Sequence, residues 1–165
     1  MSLDDWPGSS GRDGLLVDTN LLILFIVGRI NPKRIQSFKR TSAYDRVAYD
    51  LLVKTMASFS RLFTIAHVMA EVSNLTDLDG REHLEARRVL AETIAVVQEP
   101  HIASVQASRN WSYEDLGLTD AAISVVAREL KCAVLTDDLR LFLSLTREGL
   151  PVAKFAHLRE RDWQL

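Results

Sequence analysis

The sequence predicts an α/β fold, a three-layer α/β/α sandwich with a mainly parallel central sheet. Two observations carry that prediction. Short apolar runs at residues 15–17, 61–65, 132–135 and 152–155 lack polar alternation, as strands covered on both faces do. Longer segments with helical spacing separate these runs, and strands alternating with helices build parallel sheets. A third observation concerns function. Asp18 and the pair Asp137 and Asp138 directly follow apolar runs, and in such sheets functional groups gather beyond the carboxyl ends of the strands.

Each element has its own signal. Residues 1–13 contain Pro7, Gly8, Ser9, Ser10 and Gly11 and are expected to form a flexible lead-in, with residues 14–165 as one domain. The strand at 15–17 ends at Asp18-Thr19-Asn20, side chains suited to capping a helix that starts near Leu21. A polar stretch, 28–42, then carries Arg29, Lys33, Arg34, Lys39 and Arg40. Val47, Leu51, Leu52 and Met56 predict a helix over 44–57. The strand at 61–65 leads into a helix over 66–75. Gly80 precedes a further amphipathic helix, 81–96, and Pro100 closes that region. A less regular stretch around Trp111 runs to Thr119-Asp120 and a helix through Leu130. The strand at 132–135, a helix over 139–148 and a last strand at 152–155 complete the chain.

Composition narrows the function classes. Of 165 residues, 47% are hydrophobic and 25% charged, which is ordinary globular usage and excludes overall disorder. A net charge of -2 supplies no global attraction to nucleic acid, so such a ligand would need a local basic surface and metal ions. The single cysteine, Cys132, has no partner for an intramolecular disulfide and is expected to be a buried strand residue. The amino terminus is too polar for a secretory signal, and the apolar stretch 21–27 is too short to span a bilayer. A soluble, cytoplasmic protein is therefore expected. His67, His83, His101 and His157 show no zinc-ligand spacing. No phosphate-binding P-loop, nucleophile elbow or dinucleotide glycine fingerprint is present.

Four separated acids remain: Asp18 in GLLVDTNLL, Glu71 in HVMAEVSNL, Asp120 in LGLTDAAI and Asp138 in AVLTDDLRL. Each stands where an apolar run ends or where a helix shows one polar residue among hydrophobic ones. Carboxylates are costly to bury alone, so a shared divalent cation is the natural partner. Taken singly, Asp18, Asp120 and either Asp137 or Asp138 can be helix caps, and Glu71 can face solvent. Together they favour a site, chiefly because Glu71 has no capping explanation.

The segments VDTNLL, AEVSNL, LTDAAI and TDDLRL occur in the order seen in PIN-domain nucleases, and the chain resembles that family from about residue 14 to 156. The resemblance implies a PIN-like fold and a metal-dependent ribonuclease site with Mg²⁺ or Mn²⁺ as cofactor. Asp18, Glu71, Asp120 and Asp138 match the family's acidic quartet, while Asn20 and Thr136 match its supporting polar positions. Asp138 is taken as the fourth acid because the family pattern is Thr, any residue, then Asp. Asp137 is left as a supporting position, either a nearby exposed acid or an auxiliary ligand. Many small members are toxins neutralised by a cognate antitoxin, so an antitoxin and a homodimer stand open as protein partners. The stretch between Asp18 and Glu71 is longer than in minimal toxins.

Arg34, Lys39 and Arg40, with Phe38 and Tyr44 nearby, could guide an RNA backbone toward the acids, an aromatic ring stacking on an unpaired base. Trp111 and Tyr113 are open between stacking and packing. The competing function is a PIN-fold module that binds RNA or protein without cutting. A receiver-like domain phosphorylated on Asp18 explains neither Glu71 nor Asp120.

Overall fold

The computed structural model of the protein describes residues 14–162. The flexible lead-in expected over residues 1–13 lies outside them. Strand β1 (Leu15–Val17) is wholly buried and pairs in parallel with β2 (Leu62–Phe63) on one side and β3 (Ala133–Thr136) on the other. Strand β4 (Val152–Lys154) adds in parallel to β3, giving the order β2-β1-β3-β4. The sheet is parallel throughout its described strands, and helices flank it in the expected three-layer arrangement. All of β1 and β3 is buried, which is why their sequences read as continuous apolar runs.

The helix α1 (Thr19–Ile30) is apolar around most of its circumference, with Leu21, Leu22, Ile23, Leu24, Ile26 and Val27 buried. A helix of that kind must be enclosed. It packs against α2 (Arg46–Ala57), α3 (Ala66–Leu75) and α4 (Gly80–Val96). Gly28 allows the close approach of α2, since a Cβ there would meet the Tyr49 ring at 2.2 Å. The chain continues through α5 (Ser104–Ser108), α6 (Tyr113–Leu116), α7 (Leu118–Leu130), α8 (Leu139–Arg147) and α9 (Phe155–Asp162).

Most boundaries fall within two or three residues of those expected, with instructive exceptions. The second strand shrinks to two residues, and its neighbour Gln98 extends the edge by a parallel bridge to Phe63. Short helices α5 and α6 occupy the stretch expected to be less regular. The last strand stops before Phe155, which instead begins α9. The start of α9 is held from a distance: Asp137 Oδ1 accepts from the Ala156 N–H at 2.8 Å. A cap supplied by a residue far back in the chain leaves no local sequence signal.

Candidate active site

Register places the first two acids. Val17 of β1 lies opposite Leu135 of β3, and the Asp18 N–H donates to the Leu135 carbonyl at 3.1 Å. The two strands therefore leave the sheet side by side. Between them the chain reverses its direction of travel across the sheet, and such switch points form crevices beyond the strand ends. Asp18 is 3% exposed. Its Oδ1 accepts from the Leu21 N–H at 3.0 Å, capping α1, and its Oδ2 accepts from the Asp137 N–H at 3.2 Å and from the Thr136 hydroxyl. The same Thr136 oxygen accepts from the Asp138 N–H at 2.9 Å. Asp138 Oδ1 in turn caps α8, accepting from Arg140 N–H at 2.7 Å and Leu141 N–H at 3.0 Å. One buried hydroxyl thus fixes Asp18 relative to Asp138. Both aspartates are helix caps as well as pocket residues, so the two roles do not compete.

Glu71 projects from α3 and is gripped by two threonines from other helices. Its Oε2 accepts from the Thr19 hydroxyl at 2.9 Å and its Oε1 from the Thr119 hydroxyl at 2.6 Å. Asp120 is not a cap. Gly117 occupies the capping position of α7 and Asp120 lies within the first turn. The backbone of Gly117 has φ 85°, a left-handed value that an L side chain adopts only under strain. That turn aims Thr119 and Asp120 inward. Among the described residues, no donor reaches the Asp120 carboxylate.

Asp18, Glu71, Asp120 and Asp138 line one cavity of about 240 Å³, together with Asn20, Thr19 and Thr119. Burial pushes the Asp18 carboxyl up to about 6, against the opposing help of its hydrogen bonds. Asp120 is pushed up to about 7, first by burial and then by the charges of Asp138, Asp18 and Glu71, with Arg140 working in the other direction. The other three acids are therefore all felt at the Asp120 carboxylate, and that mutual repulsion is what a cation would relieve. The donor set consists of carboxylate and hydroxyl oxygens, the ligands of a hard ion such as Mg²⁺ or Mn²⁺.

The fit has a specific form. Among the described residues, no group of three or more His, Cys, Asp or Glu side chains is gathered to enclose a metal ion. Asp18 and Glu71 each have both oxygens engaged in hydrogen bonds. Mg²⁺ retains several waters and commonly meets one or two carboxylates directly. A cation at this pocket would be held by Asp18, Glu71, Asp120 and Asp138 and would supply positive charge between them.

The other expected site residues fall in different places. Asn20 lines the pocket. Asp137 turns away from it, accepting from the Tyr44 hydroxyl at 2.9 Å and from the Ala156 N–H. Tyr44 is itself buried, tilted against Phe155 and covered by Arg159, so its ring is not free to stack on a base. Tyr44→Phe is expected to cost about 1–2 kcal/mol in denaturant unfolding while leaving Mn²⁺ affinity at the pocket unchanged. Arg34 is spent on the fold, its Nε lying 2.8 Å from Glu82 of α4. Lys39 and Arg40 are exposed, and none of the three basic residues lines the acid pocket. Cys132 is buried, and burial pushes its thiol up to about 11. Thr19 and Thr119 went unrecognised in the sequence, although a hydroxyl residue adjoining an acid at each helix start was a usable signal.

Carboxylates converging at the switch point of a parallel sheet define a class of α/β protein equipped for a hard cation. A family model described as PIN domain matches residues 15–147, most of the chain, and the chain belongs to that family. PIN domains are generally metal-dependent nucleases and typically use a divalent metal. No curated protein matches the chain. Among the described residues, no helix is long and apolar enough to cross a membrane.

Proposed function

We propose that this protein is a metal-dependent endoribonuclease hydrolysing RNA phosphodiester bonds with Mg²⁺ or Mn²⁺, residues 14–165 acting as one PIN domain in the cytoplasm. The observation that carries the proposal is the convergence of Asp18, Glu71, Asp120 and Asp138 on one pocket. A bound divalent ion would supply positive charge for the scissile phosphate and a more acidic water. The chain's own residues supply order. Thr136 holds Asp18 and Asp138 in register, and Thr19 and Thr119 hold Glu71. Asp120, without donors of its own among the described residues, presents its oxygens to the pocket. No side chain need form a covalent intermediate. Lys39 and Arg40 add distant electrostatic attraction for RNA rather than contacts at the scissile bond.

One observation favours a non-catalytic binding module instead: the acids are not pre-gathered around an ion site. Incubating purified protein with structured and single-stranded RNAs in Mn²⁺, Mg²⁺ or chelator separates the two. Cutting that requires metal and disappears in Asp120→Asn is the expected result. RNA binding with no cutting under any metal would assign the module. The proposal extends to the toxin of a toxin–antitoxin pair, a role that membership of the PIN family makes available. Growth arrest on induced expression of wild type, absent in Asp120→Asn, is the corresponding test.

A further inference from the structure

A second cavity of about 230 Å³ adjoins the acid pocket, and Leu116 lines both. Its far wall is α8, the helix capped by Asp138. Arg140, Ser144 and Arg147 line it, and their i, i+4, i+7 spacing places them along one face of that helix. Both arginines are exposed, and neither is ion-paired among the described residues. Ser144 is only 6% exposed, yet its Oγ finds no hydrogen-bond partner among the described residues. Buried hydroxyls are normally satisfied, so one left open at a cavity marks a place for a ligand's polar atom. Trp111 lines the same cavity and is 57% exposed, which settles its role away from core packing. Asp115 adds a carboxylate able to accept from an amino group.

Resting on the ribonuclease reading above, we propose that this cavity is a nucleobase subsite. One unpaired base of single-stranded RNA stacks on Trp111 and hydrogen-bonds Ser144, while Arg140 and Arg147 hold the flanking phosphates. The cavity is smaller than the roughly 300–1,000 Å³ of ordinary small-molecule sites, which suits a single planar base. Two guanidiniums beside an aromatic ring are the combination that captures single strands. A protein whose net charge is -2 also needs its positive charge placed locally for such a ligand. The neighbouring phosphodiester would then lie over the acids. Bases inside a duplex cannot reach the ring, so the subsite selects unpaired RNA.

Fluorescence anisotropy of a labelled single-stranded RNA hexamer, in chelator so that nothing is cut, reads this directly. Trp111→Ala should weaken capture about tenfold or more, and Trp111→Phe should retain most of it. Arg147→Ala should weaken capture and lower the slope of log affinity against log salt by about 0.7. Trp111 and Arg147 are exposed, and circular dichroism melts would verify that both variants fold. Equal capture of the hexamer by wild type and Trp111→Ala overturns the subsite and passes the cavity to a protein partner. Trp111-dependent capture, with no RNA cut by the wild type in Mg²⁺ or Mn²⁺, keeps the subsite and overturns the ribonuclease reading instead.

Discussion

Asp120→Asn is expected to melt above the wild type in chelator at pH 8 and to have lost RNA cleavage. Its carboxyl is raised from 3.8 to about 7 by burial and by three neighbouring acids. A group whose folded pKa exceeds its unfolded value binds its proton more tightly when folded. Its ionisation therefore opposes folding, beginning near pH 4 and complete above about pH 7. With allowance for screening in an open pocket and for the helix-start charge that is lost, removing it should stabilise by about 1–2 kcal/mol. For a chain of this length that is about 2–8 °C in Tm.

The pH dependence supplies a second readout. Wild type in chelator should lose stability as pH rises from about 4 to about 7. In Asp120→Asn the decline should end near pH 6, because Asp18 is raised only to about 6. Saturating Mn²⁺ should stabilise the wild type strongly, by about 2.7 kcal/mol at a hundredfold excess over Kd, and the variant far less. A Tm unchanged in chelator, with cleavage and the Mn²⁺ response retained, would remove Asp120 from the site.

Thr136→Val should be the most damaging change of similar shape. Its hydroxyl is fully buried, donates to Asp18 and accepts from the Asp138 N–H. Valine fills the space but leaves that N–H without its acceptor and Asp18 without one of the bonds that restrain its pKa. A lost charge-assisted hydrogen bond plus a part-buried orphan donor costs about 2–3 kcal/mol, or about 4–12 °C in Tm. Cleavage should fall at least as steeply as in Asp120→Asn, because two acids lose their mutual register at once. Thr136→Ser should restore most of both. If Thr136→Val melts with the wild type and cuts RNA normally, the hydroxyl link has no role.

The outcome for the basic loop shows where sequence runs out. Arg34, Lys39 and Arg40 form a dense positive stretch, yet Arg34 is bound to Glu82 and none of the three reaches the acids. The arginines that line the adjoining cavity, Arg140 and Arg147, lie on a segment that the sequence marks only as a helix over 139–148. Spacing cannot tell a solvated face from one that closes a cavity. That distinction depends on α6 and Trp111 lying across from α8.

The pair Asp137 and Asp138 makes the same point at one residue's separation. Both end the same strand, and both can cap a helix. Strand-end geometry sends Asp138 toward the pocket and onto the start of α8, and sends Asp137 to Tyr44 and the start of α9. That Thr19 and Thr119 both bond Glu71, about fifty residues away on either side, is likewise set by the fold.

Apolar runs, helical spacing and caps act over a few residues, so the strand–helix alternation, the parallel sheet and the order of the four acids were legible from the chain alone. Which oxygen meets which hydroxyl, which arginine is spent and which ring stays exposed required the folded protein. Those outcomes are set by register between β1 and β3 and by the packing of helices remote in sequence. A side chain's direction in space, unlike its propensity, is not a local property.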